Sequence, residues 1–224
     1  MTGTLPVSTF PGSPKVVKGG IVLIDPETSA VLRVVVLQYN PDTLNRTLQV
    51  QGVGGEGGER LEALRLKGPP VETIKLEAEI DSTDQLEFPS SNPITVELGI
   101  APVLASLETI VYPTSAQLQN VNRLAATGTL EIAPTEAPLS LFVWSKTRIL
   151  PVRITEFSIT EDAFDTALNP TRAKVSLGMR VLSVNDLAFS HKGSSLFLGY
   201  QQHKERMAGM TQGSISVLGI AGVS

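Results

Sequence analysis

The residues best suited to chemistry in this chain are a glycine-rich segment, a run of acidic residues and two histidines. Residues 52–57, GVGGEG, match the G-x-G-x-x-G spacing that lets a backbone approach a dinucleotide pyrophosphate. They follow a strand-like segment, and Glu77 stands at about the distance of a ribose-binding acid. A dinucleotide site also needs a helix that begins in the glycines and leads to a parallel strand. Gly68-Pro69-Pro70 interrupts such a helix, so the segment is interpreted as a loop.

Two groups of acidic residues could bind a metal or act in catalysis, but each lacks a feature that such a site requires. Asp81-Ser82-Thr83-Asp84 carries enough oxygen atoms for calcium, but it lacks the ligand spacing and the central glycine of an EF-hand loop. Asp162 and Asp165 could act as a catalytic acid and base, but no feature of the sequence places them in a pocket. We interpret the first group as a turn that ends a strand and expect no metal site.

The two histidines and the single tryptophan have structural interpretations. His191 and His203 are the only two histidines, and they give little support for a Ser-His-Asp arrangement or a histidine-based metal centre. His203 falls on the apolar stripe of a predicted helix, which favours a hydrogen-bonded core or interface histidine. Trp144 lies within an apolar strand and is interpreted as a core or interface anchor rather than a sugar platform. We therefore predict no catalytic, cofactor-binding or metal-binding residues, no cofactor and no enzymatic activity.

Composition limits the classes of partner. The chain has 224 residues, of which 42% are hydrophobic and 18% charged, and its formal net charge is −4. This is typical of a globular protein and gives no electrostatic reason to expect nucleic acid or an anionic membrane as a partner. No cysteine is present, which suits a reducing cytoplasm. No segment approaches the roughly 18 to 20 apolar residues of a membrane span, and the N-terminus lacks the apolar core of a signal peptide.

Apolar and polar residues alternate over much of the chain, which predicts a body of β-strands. Residues 71–80 and 172–182 alternate so regularly that each predicts a strand with one buried and one wet face. Residues 31–39 predict a strand that is apolar on both faces from Leu32 to Leu37, which favours a central position. A slip in phase at Thr155-Glu156 predicts a β-bulge. The predicted strands are 20–25, 31–39, 71–80, 139–145, 147–160 and 172–182.

Two segments have helical spacing. Residues 94–112 place apolar side chains three and four residues apart, and Pro102 predicts a kink or a late start of the helix. Residues 193–208 form the second predicted helix, whose apolar stripe is Leu196, Tyr200, His203 and Met207. The first 18 residues are rich in Pro, Gly, Ser and Thr and are predicted to form an extended arm that orders against a neighbour.

Two proline-containing pairs and three basic residues complete the candidate site residues. Tyr39-Asn40-Pro41 and Asn169-Pro170 are predicted structural corners, because proline fixes φ and pushes the preceding residue out of the helical region. Arg172, Lys174 and Arg180 lie on the polar face of the strand that follows. That face could contact a neighbouring subunit, line an aqueous channel, or simply be solvated.

The order of these segments resembles the tube-like domain of contractile injection systems. The segments that carry the similarity are GGIV at 19–22, LQYNPDTL at 37–44, the GERLEALRLKGPPVETIKLEAEIDSTD segment, a helix ending in TIVYP, and the block from 141 to 183. It covers about residues 15 to 208 and is strongest in the YNP segment and in 152–182.

The resemblance implies a mainly β fold, namely a tail-tube-like β-barrel or sandwich of two antiparallel sheets with a flanking α-helix and a C-terminal helix. It divides the chain into an arm (1–18), a tube-like domain (19–190) and a C-terminal helix with a short tail (191–224). Six copies are expected to form a ring that joins the inner tube to the baseplate, with the inner tube protein, the spike hub and other baseplate proteins as partners. The particle is expected to assemble in the cytoplasm.

The C-terminal region departs from many members of this family. Only 16 residues follow the predicted helix, too few for the LysM module that many members carry, which favours a tube-initiating or adaptor ring. A free-standing carbohydrate- or peptide-binding β-sandwich that uses Trp144 is the alternative, and a hydrolase that uses His191 or His203 comes third.

Overall fold

The structure is a computed structural model, and it describes residues 17–52, 65–126 and 137–211 together with residues 213, 217 and 219. Most of the predicted arm, the glycine-rich segment after Gly52, and most of the predicted tail lie outside the described residues. The division of the chain at residues 18 and 190 stays a prediction.

The described ranges contain seven strands and five α-helices. The strands are β1 (Gly20–Ile24), β2 (Val31–Val36), β3 (Leu44–Gln49), β4 (Val71–Asp81), β5 (Leu139–Ser145), β6 (Arg148–Phe164) and β7 (Pro170–Val181). The helices are α1 (Thr83–Leu86), α2 (Pro93–Leu98), α3 (Ala101–Glu108), α4 (Ser115–Ala126) and α5 (Lys192–Ala208), with a 3₁₀ turn at Pro89–Ser91.

All seven strands belong to one sheet in the order β2-β1-β5-β6-β7-β4-β3, and every neighbouring pair is antiparallel. The predicted mainly β fold with antiparallel strands and flanking helices is confirmed. Within the described ranges, however, β2 and β3 are not paired with each other. The strands therefore form one open sheet rather than a closed barrel or two separate sheets.

The sheet encloses a single main core although its two end strands stay apart. Ile21 of β1 and Val35 of β2 belong to the same buried cluster as Ile74 of β4 and Val175 of β7. Strands from both halves of the sheet order can share one core only if the sheet curls around it. The predicted β-bulge is confirmed, because the register between β6 and β7 shifts at Ile154/Glu156.

The predicted helix at 94–112 is two helices. α2 ends at Leu98 and is followed by Gly99, whose φ of 58° lies in the left-handed region, and α3 starts after Ile100. A Cβ on Gly99 would lie 2.1 Å from the carbonyl oxygen of Pro170, so only glycine fits beside that strand. α3 buries its apolar stripe against the core, whereas Val96 on α2 is exposed because α2 lies outside the core.

Helix α5 packs against the other end of the core. Phe197 and Tyr200 are buried, whereas His203 is half-buried and Met207 exposed, so the buried face is rotated from the predicted stripe. His191 is the N-cap residue, and its Nδ1 accepts a hydrogen bond from the backbone N–H of Gly193 at 3.0 Å. This bond satisfies one of the free donors at the start of the helix.

A charged cluster lies beneath α5. Glu72 is 3% exposed, and its Oε1 accepts a hydrogen bond from Nε of Arg46 at 2.8 Å. Nη2 of Arg46 also donates to the Tyr200 hydroxyl at 3.2 Å, and Lys204 lies 4.6 Å from the Tyr200 ring centroid. Burial lowers the pKa of Lys204. A buried carboxylate needs a partner, and Arg46 of β3 is the partner of Glu72 of β4. Since Arg46 also donates to Tyr200, it connects these two strands with α5.

Helix α4 was not predicted from the sequence, although a helix-start signal precedes it. The backbone N–H of Thr114 donates to Oε1 of Gln117 at 2.8 Å, and the backbone N–H of Gln117 donates to Oγ1 of Thr114 at 3.2 Å. This reciprocal pair is the capping box expected of a T-x-x-Q sequence. The helix buries no residue.

We predict that Gly99→Ala destabilises the protein strongly. The left-handed backbone costs an alanine about 1–2 kcal/mol, and the overlap with Pro170 adds to this loss. Gly199→Ala is the matched control: an added Cβ there meets nothing within 4 Å, and α5 should gain about 0.5–1 kcal/mol. Denaturant unfolding of both variants measures the difference, and equal midpoints would contradict the assigned role of Gly99.

Candidate functional site

The free edge of β2 is the most unusual surface of the described structure. The prediction that this strand is central is wrong, because among the described strands β2 pairs with β1 alone and ends the sheet. Val31, Leu32 and Val34 are 62%, 55% and 56% exposed. A strand apolar on both faces suits either a central position or an edge that another chain covers, and the sequence pattern does not distinguish them.

The charged side chain of β2, Arg33, does not lie along the free edge, where it would discourage pairing with another chain. Natural edge strands commonly carry charged side chains that discourage pairing with another chain. Arg33 is the one charged residue of β2, and its Nη1 donates to the carbonyl oxygen of Ser106 at 3.2 Å and to Oγ1 of Thr109 at 2.5 Å. Arg33 therefore connects β2 with α3, and the side chains exposed along the edge are valines and a leucine.

The opposite end of the sheet is polar. Within the part of the chain that the structure describes, β3 pairs with β4 only, and it exposes Asn45, Thr47 and Gln49, with Leu48 beside them. The two free edges of the sheet are thus chemically unlike. A contact between them would join different surfaces of two copies.

The Tyr39-Asn40-Pro41 segment fixes the chain just before β1. Oδ1 of Asn40 accepts a hydrogen bond from the Gly19 N–H, and its Nδ2 donates to the Val17 carbonyl, both at 2.9 Å. The Tyr39 hydroxyl donates to Asp84 at 3.4 Å. Burial and the carboxylate of Asp84 raise the pKa of Tyr39.

The Asn169-Pro170 segment links the β6–β7 hairpin to the break between α2 and α3. Nδ2 of Asn169 donates to the Glu97 carbonyl at 3.0 Å and to Oδ2 of Asp165 at 2.8 Å. The Pro170 carbonyl accepts from the Ile100 N–H at 2.8 Å. Hydrogen bonds from the side chain and backbone of Asn169 lower the pKa of Asp165, so this carboxylate serves the turn.

The same hairpin presents an apolar tip that the sequence analysis missed. Leu168 has a φ of 65° and is 78% exposed, and Phe164 nearby is half exposed. A non-glycine residue in the left-handed region is strained and persists only where its surroundings hold it. No sequence signal marks this position, because its conformation depends on the hydrogen bonds of Asp165.

The three basic candidates are all paired within the chain. Nε of Arg172 lies 2.7 Å from Oδ2 of Asp81, and Lys174 lies 3.7 Å from Glu79. Nη2 of Arg180 lies 2.5 Å from Asp186. Their predicted contacts with a neighbour or with lumen water stay predictions.

Asp81 is the last residue of β4 and the first of the acidic Asp81–Asp84 group. Partial burial raises the pKa of Asp81, but hydrogen bonds from Thr83 and Arg172 outweigh this effect and leave it below the ordinary value. The Thr83 N–H and hydroxyl both donate to Oδ1 of Asp81. The segment thus forms the start of α1 at the end of a strand.

The remaining sequence candidates lie apart. Trp144 is stacked on Phe142 with ring centroids 5.9 Å apart and packs against the main core. Asp162 is exposed on β6. Among the described residues, no group of three or more histidine, aspartate or glutamate side chains could hold a metal ion. Nor is any helix in those ranges long and apolar enough to cross a membrane.

A cleft of about 340 Å³ separates β2 from β4. Its walls include Leu37, Ile80, Ile100, Val103 and Leu107, all of which contribute to or pack against the main core. This volume is in the range of small-molecule and peptide sites.

The fold defines the chain as an open antiparallel sheet with flanking helices. No protein-family profile matches it, and no curated protein matches it. Among solved structures it is similar to a chain described as the tail of an empty GTA particle, computed with helical refinement and C6 symmetry. The two share 11% sequence identity over 73% of this chain and 90% of the other, with a TM-score of 0.29.

We predict that Asn169→Ala lowers the melting temperature by roughly 2 to 4 °C, the size expected for the loss of about one net hydrogen bond in a chain of this length. The Glu97 carbonyl loses its side-chain donor. Asn45→Ala, at an exposed position on β3, is the control and should melt within about 1 °C of the parent protein. Thermal unfolding followed by circular dichroism checks both values. An unchanged melting temperature for Asn169→Ala would contradict the role of this corner.

Proposed function

We propose that this protein is a structural subunit of a contractile injection system or related phage-tail-like particle. In this proposal it forms a hexameric ring that joins the inner tube to the baseplate and spike. Its role is mechanical, and its partners are further copies of itself, the inner tube protein, the spike hub and other baseplate proteins. The ring assembles in the cytoplasm as part of the particle.

The observation that carries the proposal is the apolar free edge of β2. Full burial of a valine or leucine side chain contributes about 1.5–3 kcal/mol, and three such side chains are more than half exposed on this strand. The unpaired backbone groups of an edge strand add directional hydrogen bonds when a second chain arrives. Both terms favour association through this edge.

The difference between the two edges favours a ring. A contact between the β2 edge of one copy and the β3 edge of the next is heterologous, and such contacts close into a ring when the rotation per subunit permits it. The segment order shared with tube-like domains supports six copies. The proposal thus uses both ends of the open sheet.

The polar face of β4, β6 and β7 suits the side of the ring that meets water. Lys75 and Glu156 form an ion pair of 2.7 Å there, beside the pairs of Arg172 and Lys174. In this proposal the face lines the passage of the ring, where side chains of both signs leave no large field of one sign. Arg172, Lys174 and Arg180 are the basic contacts of that face.

We predict that Val34→Lys weakens self-association by roughly tenfold or more, since it removes apolar burial and places a charge on the edge. Val121→Lys is the matched control, because it makes the same change at an exposed valine of α4, outside the proposed contact. Sedimentation over a range of concentrations and negative-stain microscopy, with and without the inner tube protein, measure the rings. Circular dichroism verifies that both variants fold.

Two results would overturn the proposal. One is a parent protein that stays monomeric at all concentrations and in the presence of its tube partner. The other is ring formation by Val34→Lys at the concentration required by the parent protein, which would exclude the β2 edge as the contact.

A further inference from the structure

Strand β6 carries charges of opposite sign towards its two ends. Residues 137–154, which include the start of β6, contain three basic side chains and no carboxylate. Residues 155–171 run through the end of β6 and the hairpin tip, and they contain four carboxylates and no Lys or Arg. β6 has 17 residues, so its ends lie up to roughly 50 Å apart at about 3.3 Å per residue. The net charge of −4 therefore conceals a separation of charge along one strand.

Helices α1 and α2 extend the acidic end of this strand. Asp81, the last residue of β4, pairs with Arg172, which in turn pairs with Ala163 near the end of β6. α1 therefore begins beside the β6–β7 hairpin, and Asn169 joins the tip of that hairpin to the last turn of α2. Residues 82–122, which include both helices, contain no Lys or Arg, and Arg172 is already paired with Asp81. We call this surface the acidic end, and its exposed carboxylates are Asp84, Glu87, Glu97, Glu161 and Asp162.

Helix α5 adds basic residues to the other end of β6. Leu196 of α5 packs in one cluster with Ile149 near the start of β6. Glu205 is the one carboxylate of α5, and it stands between two basic residues. We call this surface the basic end, and its basic residues are Lys146, Arg148, Arg153, Lys192 and Arg206.

Both ends also expose large apolar side chains. On the acidic end these are 43% to 78% exposed, namely Phe88, Ile94, Val96, Leu98, Phe164 and Leu168. On the basic end, Phe189, Met207 and Met210 are 45% to 74% exposed. Apolar side chains that are exposed together and rimmed by charge mark a surface that another protein covers. The acidic rim of the first surface requires a partner with apolar and basic side chains, and the basic end has both.

We propose that the acidic end of one copy binds the basic end of a second copy. Burial of the apolar side chains stabilises this contact, and the opposite charges fix its direction. A symmetric contact between two acidic ends would place like charges opposite each other, which disfavours it. The contact is therefore head to tail. It uses surfaces other than the β2 and β3 edges, so it does not rest on the proposed ring.

Reversal of the charges at each end tests this contact. All variants are made in the full-length Val34→Lys protein, so that association through the β2 edge does not contribute. The acidic-end variant carries Glu161→Lys and Asp162→Lys, and the basic-end variant carries Lys146→Glu and Arg206→Glu, all at exposed positions. Arg123→Glu is the control, because it reverses an exposed charge on α4, which belongs to neither end. Sedimentation at low and high salt gives the dissociation constants, and circular dichroism verifies folding.

The Val34→Lys protein should associate at low salt, and its dissociation constant should rise roughly tenfold or more at high salt or in either charge-reversed variant. An equimolar mixture of the two variants should associate again, because each reversed end then meets an end of opposite charge. The Arg123→Glu control should stay within about threefold of the Val34→Lys protein.

Three results would overturn the proposal. The first is a Val34→Lys protein that stays monomeric at all concentrations, and the second is a charge-reversed variant that associates as the Val34→Lys protein does. The third is a mixture of the two variants that stays dissociated, which would show that the two ends do not bind each other. Ring formation is measured separately in the parent protein, so failure of this contact is distinguishable from failure of the ring.

Discussion

The gap between β2 and β4 is the constraint on which the rest of the structure depends. The sheet curls until its two halves share one core, but these strands do not pair. Gln38 bridges one end of the gap: its Nε2 donates to the Asp81 carbonyl at 2.5 Å, and its Oε1 accepts from the Asp81 N–H at 2.9 Å. A side chain thus makes the two bonds that a paired strand would make. Because the gap is held open rather than closed, α3 can cover the core there, and both sheet edges stay available to other chains.

The same device recurs where distant segments meet. An amide side chain carries a donor and an acceptor, so it can replace a peptide group. Asn40 uses both groups on the chain before β1, and Asn169 uses its donor on the last turn of α2. Each amide lies at or beside a predicted corner or strand end. In this protein the corners therefore do more than reverse the chain, since they fix residues 17–19, the helices and the sheet relative to one another.

The sequence predicted elements whose pattern is local and failed where a partner decides. β4 and β7 follow from strict alternation, and the bulge at Thr155-Glu156 follows from a change of phase. The break at Gly99 could not be predicted, because the Pro170 carbonyl that excludes a side chain belongs to a strand some seventy residues away in the chain. The edge position of β2 was missed because apolar residues on both faces fit a central strand equally well. Leu168 shows the same limit, since only the turn around it explains its φ.

The ion pairs of the polar face explain why its basic residues carry less information than the apolar edge. An exposed ion pair contributes about 0–1 kcal/mol because water and salt screen it. Arg172 and Lys174 are about half exposed, and each already has a carboxylate beside it on the neighbouring strand. A passing or docking partner would have to compete with those carboxylates, so the face can meet water or a mixed-charge surface without strong attraction. Val31, Leu32 and Val34 on the β2 edge are more than half exposed and have no such partner among the described residues. In the proposed ring, the directional preference for association therefore resides in β2, and the polar face tolerates what lies opposite it.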